Sequence, residues 1–179
     1  YLETHTVSSD NFTAVSNDEN SEYPISNVFN NDETKKWVST SSEAVITVEF
    51  DEKITLEAII LTSVSHTESN SKVYDGFPRR LKILTSLDGE SFETNGVFHG
   101  LPTSPNEKYQ FVLPSSVQCK KMKIQFVDVT KESQVSNNER RASLTMIEII
   151  QSQGYKYLPY EPIRNEYKDA NYFNSHKIP

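Results

Sequence analysis

The chain has 179 residues, long enough for one domain with a full core and a short appendage. Its 18 Lys and Arg stand against 25 Asp and Glu, and a formal net charge of -7 counts against nucleic acid and anionic lipid surfaces as partners, since such a field repels phosphate. With Cys119 as the single cysteine no intrachain disulfide is available, and the apolar runs fall far short of the roughly 20 residues that a membrane-spanning helix needs.

Residues 1–26 are rich in Ser, Asn, Thr, Asp and Glu, show little apolar period and read mostly as loop, with room for a short edge strand within His5–Val15. Asn11-Phe12-Thr13 has the form of a glycosylation sequon, which carries meaning only in a eukaryotic secreted protein. The stretch SNVFNNDETKKW, Ser26 to Trp37, sets three Asn, an Asp, a Glu and a Thr before two Lys and the only Trp. Such a stretch suits a cation loop, a ligand patch or a polar turn that seats the Trp in a core.

From Val45 the pattern changes. Ile46, Val48 and Phe50 alternate with Thr47 and Glu49, the period of two that gives a strand one buried and one wet face. A turn is expected at Asp51–Lys53. Ile54–Val64 begins by alternating and then becomes apolar on both faces, as in a strand buried between layers. Nineteen polar-leaning positions follow, Thr62 to Arg80, and a connection of that length in a compact domain is usually functional or disordered. Leu81–Ser86 reads as a strand, and Asp88-Gly89 as the pair that closes a tight turn before Phe92. Lys108–Pro114, Lys120–Val129 and Leu144–Ile150 complete the strands; in the second, Met122, Ile124 and Phe126 alternate against Lys121, Lys123 and Gln125.

No useful helical period precedes Gly154, and there is no repeat, so the fold is expected to be all-β with six to eight strands and several long loops. The Tyr-rich stretch from Tyr155 onward differs in character, with a short helix possible at Arg164–Phe173. The expected division is a β-sandwich domain at 1–153 and a C-terminal extension at 154–179. No His-Glu metal spacing, Gly-x-Ser-x-Gly or phosphate-cradling glycine loop is present, and the His at 5, 66, 99 and 176 have no ligand-like spacing, which points away from an enzyme.

Taken in order, NVFNNDETKKW, ITVEFDEKITLEAIIL, FPRRLKILTSLDGESFE, KKMKIQFVDV and ASLTMIEI resemble the discoidin family, that is, the factor V/VIII C-type domains, and within it the family 32 carbohydrate-binding modules. The resemblance covers about residues 26 to 151, and TSLDGESFE is its most specific piece. It implies an antiparallel jelly-roll β-sandwich of the galactose-binding-domain-like type, with a ligand site in loops at one end and no catalysis. It also implies a structural calcium in the loop before the Trp. Carried over residue by residue, Asp32 and Glu148 match acidic positions, and carbonyls would come from Asn27 to Asn31. Two positions depart from the pattern: Asn30 stands where an Asp is frequent, and Lys35 where a Thr usually sits. Either Lys35 swings into solvent and gives only its carbonyl, or its ammonium takes the cation's place beside Asp32 and Glu148.

A sugar site needs an aromatic plane for the apolar face of a pyranose and planar hydrogen-bonding groups for its hydroxyls. One long loop offers His66, Asn70, Tyr74, Arg79 and Arg80, with Tyr74 the best stacking candidate; its counterpart offers Asn137, Asn138, Arg140 and Arg141. Each also reads as a solvated loop residue, and Phe77 reads better as a core plug than as a ligand contact. The expected function is a carbohydrate-binding module of a secreted or cell-surface protein, one part of a larger chain, with a glycan or glycoprotein as partner. The alternative is a protein-interaction or adhesion module of the same fold, and a docking role inside cells stays open with it.

Overall fold

A computed structural model describes residues 2–17, 21–41, 43–64, 77–99, 107–129 and 142–155. By internal contacts the chain divides into Thr4–Ser152 and a small unit made of Tyr1–Glu3 and Gln153–Pro179. In the small unit the described residues, Leu2–Glu3 and Gln153–Tyr155, are extended. Among the described residues no helix is long and apolar enough to cross a membrane.

Among the described residues there are nine strands: β1 (Leu2–Thr6), β2 (Phe12–Ser16), β3 (Trp37–Val38), β4 (Val45–Thr62), β5 (Pro78–Ser86), β6 (Glu93–His99), β7 (Lys108–Val129), β8 (Ser143–Leu144) and β9 (Met146–Tyr155). Two 3-10 turns, Ser9–Asn11 and Ile25–Phe29, are the only helical elements among the described residues. All pairings in register are antiparallel.

The architecture turns on β4 and β7, which each run through two layers. The first half of β4 lies between β2 and the second half of β7, with Val48 opposite Ala14 and Met122; β7 continues to β5 and β5 to β6. That gives a five-stranded layer, β2-β4-β7-β5-β6. The second half of β4 lies between β9 and the first half of β7, with Ile59 opposite Ile149 and Phe111, and β1 follows β9. The result is the expected all-β antiparallel sandwich, a jelly roll.

Where turns were expected, the long strands bend and continue. At Asp51–Lys53 the register of β4 against β7 shifts, and these three exposed charges mark the corner between layers. In β7 the corner is Leu113–Ser116, which stands opposite Glu57 alone, a large bulge. Pro114 falls there because it has no N–H to give a ladder. The hydroxyl of Ser116 donates to the Glu57 carboxylate across the bulge. The bulge also inverts the faces of β4: Ile54 and Leu56 point to the core before it, Ile59 and Leu61 after it. Residues 1–26, expected to be mostly loop, supply β1 and β2 and bury Val7 and Phe12.

The core follows from the two alternations in the sequence. Ile46, Val48 and Phe50 of β4 meet Met122, Ile124 and Phe126 of β7 and Leu81 and Ile83 of β5. Burying each such side chain contributes about 1.5–3 kcal/mol. Trp37 is 0 % exposed and packs edge-on against Phe126, ring centroids 5.5 Å apart. Cys119 lies inside this core, where burial pushes its thiol up to about 12 and leaves it an inert apolar group.

Candidate functional site

The ends of the strands decide where the loops go. Thr62 pairs with Lys108 and Met146, Pro78 with Val129, and Arg80 with His99. The segments 65–76, 100–106 and 130–141 therefore all spring from one end of the sandwich. Their bases are tightly bonded. Ser63 N donates to the Glu107 carbonyl at 3.0 Å, Glu107 N donates to Ser63 Oγ at 3.0 Å, and Thr145 donates from N to the Thr62 carbonyl at 2.9 Å and from Oγ1 to the Ser63 carbonyl at 3.2 Å. Beside them Ser39 N donates to the Ala142 carbonyl at 2.8 Å, and Ala142 N returns a bond to Ser39 Oγ at 2.9 Å. Phe77 is buried against Tyr109, centroids 4.5 Å apart, so it plugs the core at the loop base.

His66, Asn70, Tyr74, Asn137, Asn138, Arg140 and Arg141 lie outside the described residues. Arg79 and Arg80, expected before a strand, lie within β5 at this same end, and both are exposed. The reading of the sequence placed Ser63 and Thr145 within strands and did not single out Glu107, so the bonded loop bases were not foreseen. The only signal was their place: each stands at the boundary between an apolar run and a polar one.

The Ser26–Trp37 stretch is built from a 3-10 turn, Ile25–Phe29, whose Ile25 and Val28 are buried and hold it to the sandwich. Asn30 closes the turn. With its amide turned so that the nitrogen faces the turn, that group donates to the carbonyls of Ser26 at 2.9 Å and Asn27 at 3.3 Å. Asn31 follows at φ 58°, a left-handed conformation that Asn tolerates better than most residues. Asp32 then accepts at one carboxylate oxygen from Thr34 N at 2.9 Å and from Thr34 Oγ1 at 2.6 Å. These two bonds, with the Lys35 ammonium as a lesser cause, hold the Asp32 carboxyl below its ordinary value. Asn27 Nδ2 donates to the Lys36 carbonyl at 2.9 Å and ties the two ends of the loop together. The chain then delivers Trp37 to the core, paired with Leu144 of β8. Among the described residues Trp37 Nε1 is buried without a hydrogen-bond partner.

Asn31 and Glu148 line one groove of about 340 Å³, together with Val7, Phe29 and Met146. Among the described residues Glu148 Oε2 is buried and accepts no hydrogen bond; Lys108 Nζ stands 3.6 Å from it, too far for a hydrogen bond and close enough for charge attraction. Lys35 is exposed. Calcium takes six to eight oxygens at 2.3–2.6 Å. Of the candidate oxygens, the Lys36 carbonyl accepts from the Asn27 amide, Asp32 is engaged by Thr34, and Glu148 faces an ammonium. Among the described residues no three His, Cys, Asp or Glu side chains gather as a metal site would need.

Among solved structures, the chain is similar to the family 32 carbohydrate-binding module of C. perfringens NanJ in complex with galactose, with TM-score 0.65 and 14 % identity over 83 % of this chain and 99 % of that one. It is likewise similar to CpGH89CBM32-5 from Clostridium perfringens in complex with GalNAc-β-1,3-galactose, with TM-score 0.65 and 12 % identity over 81 % of this chain and 99 % of that one. A putative chitobiase fragment from Bacteroides thetaiotaomicron aligns with TM-score 0.68 and 11 % identity over 86 % of this chain and 96 % of that one. At these identities the likeness is one of fold. No curated protein sequence matches the chain. The family model that matches is that of the F5/8 type C domain, over residues 11–145.

Proposed function

The chain belongs to the F5/8 type C domain family, and from that membership we propose that it is a non-catalytic carbohydrate-binding module of a secreted or cell-surface protein, taking glycan through the loops at one end of the sandwich. The observation that carries this reading is the shared, hydrogen-bonded base from which segments 65–76, 100–106 and 130–141 leave the frame. A base of this kind is rigid, and a rigid base lets loops present side chains to a ligand at little entropic cost. Proteins of the same fold have been seen with galactose and with GalNAc-β-1,3-galactose, which supports a sugar as the ligand. In this reading Tyr74 stacks on the apolar face of the sugar, His66 and Asn70 bond its hydroxyls, and Arg79, Arg140 and Arg141 supply planar donors at the rim.

A glycan array with the chain tests this. Specific binding to a family of related glycans is expected. Tyr74→Ala and His66→Ala should then each weaken binding several-fold with the melting temperature unchanged, because a hydroxyl that loses its partner costs about 1–3 kcal/mol. A chain that binds no glycan on the array, or variants that bind as the wild type does, would replace the sugar reading with that of a protein-docking module.

A further inference from the structure

We infer that the Ser26–Trp37 loop of this chain is closed by its own amide side chains and does not depend on a divalent cation, whatever the loops at the ligand end bind. Two carboxamides carry the closure. Asn27 Nδ2 reaches the Lys36 carbonyl at 2.9 Å and so joins the start of the loop to the residue before Trp37. Asn30 stands over the Ser26 and Asn27 carbonyls at 2.9 and 3.3 Å. With its nitrogen toward them it satisfies both. With its oxygen toward them, three oxygens would face one another at those distances, and only a cation among them would relieve the repulsion. A neutral amide needs no such cation, since rotation by half a turn presents a donor.

The charges around the loop point the same way. Lys108 Nζ lies 3.6 Å from Glu148 Oε2, so a positive group already compensates the one acidic side chain that β9 offers the groove. A divalent ion beside that carboxylate would be repelled by the ammonium. Asp32 spends its carboxylate oxygen on Thr34 within the turn. Lys35 adds a further positive charge next to Asp32 and is among the causes that hold the Asp32 carboxyl low. Lys35 and Lys108 thus stand beside Asp32 and Glu148, the two acids that a calcium loop would use, and Asn30 adds an uncharged amide. The consequence is that the delivery of Trp37 to the core is independent of calcium concentration.

The test is to melt the chain in excess EDTA and in excess calcium chloride, with Asn30→Asp alongside and calorimetric titration of the wild type with calcium chloride. The wild-type melting temperature is expected to be the same in both media, with no saturable heat in the titration. Asn30→Asp, which turns the donor into a second oxygen facing the two carbonyls, is expected to melt several degrees lower in EDTA. A wild type that melts higher in calcium, saturable calcium binding, or an Asn30→Asp variant as stable as the wild type in EDTA would overturn the inference. Should Asn30→Asp fail to fold, the two wild-type measurements still decide it.

Discussion

Two turns of this chain are closed by the same chemistry and carry different loads. In each, an aspartate oxygen accepts from backbone N–H and hydroxyl donors close by in the chain, and a residue with positive φ completes the bend. Asp88 Oδ1 accepts from Glu90 N and Ser91 N at 2.8 Å each and from Ser86 Oγ at 2.9 Å, with Gly89 at φ 87°. Asp32 accepts from Thr34 alone, with Asn31 at φ 58°. The Asp88 turn joins β5 to β6 at the edge of the five-stranded layer and delivers Phe92, which stays half-buried under the Lys123 ammonium, 4.2 Å from its ring centroid. The Asp32 turn delivers Trp37, fully buried. The better-bonded turn therefore has the lesser structural duty. The weaker one is secured by what it inserts into the core and by the Asn27 and Asn30 amides behind it.

The sharpest way to break that comparison is to remove what each turn delivers. Trp37→Ala is expected to cost about 3–5 kcal/mol, the range for truncating a large buried aromatic, read as the denaturant midpoint at constant slope. Phe92→Ala should cost about 1 kcal/mol or less, the scale of an exposed cation–π contact. Equal losses would show that the two turns are structurally equivalent after all. A second, smaller effect separates the bends themselves. Gly89→Val should cost about 1–2 kcal/mol because a branched side chain is forced into the left-handed region. The cost is conformational: a Cβ at Gly89 would meet only the Lys121 side chain, at 3.6 Å. Asn31→Gly, at a position Asn already tolerates, should change stability by less than about 0.5 kcal/mol.

The smallest effect is expected in acid. The amides of Ser91 and Glu90 and the Ser86 hydroxyl pull the Asp88 carboxyl down to about 2. A carboxyl depressed on folding contributes stability above its unfolded value and loses it as the pH falls through the folded one. For Asp88 that window runs from about pH 4 down to about 2. Asp88→Asn should flatten the stability profile in this window. Asp32→Asn should flatten it less, because fewer bonds hold that carboxyl low. An unchanged slope in Asp88→Asn would mean that the aspartate bonds of this turn hold nothing.

The two turns also show what a sequence makes legible. Asp88-Gly89 was readable because a glycine beside an aspartate between two alternating runs has one common use. The alternations Ile46-Val48-Phe50 and Met122-Ile124-Phe126 were readable because period two maps directly onto one buried face. The continuity of β4 through Asp51–Lys53 and of β7 through Pro114 was not. Charges and proline in sequence look like chain reversal, and only the layer change, where a strand needs a bulge and no ladder bond, makes them compatible with an unbroken strand. Around the Ser26–Trp37 loop, Asp32 and Glu148 stood out as acids, but the partner of Glu148 was hidden. Lys108 neighbours it only through the register in which Thr62 of β4 sits between Lys108 and Met146. The loop bases at Ser63, Glu107 and Thr145 were hidden for the same reason, since their bonds cross long stretches of chain.

The double role of β4 sets the order in which the molecule can be made. Its second half finds one neighbour in the first half of β7 and the other only in β9, near the end of the sandwich. Nearly all of these pairings join residues far apart in the chain, a topology that folds slowly because loop closure precedes any gain. During synthesis, the edge of Ala58–Thr62 that β9 later covers keeps its N–H and C=O groups open until Met146–Ser152 have left the ribosome, and such an edge is a template for strands of other chains. Strand β9 therefore acts as a cover as well as a wall of the core.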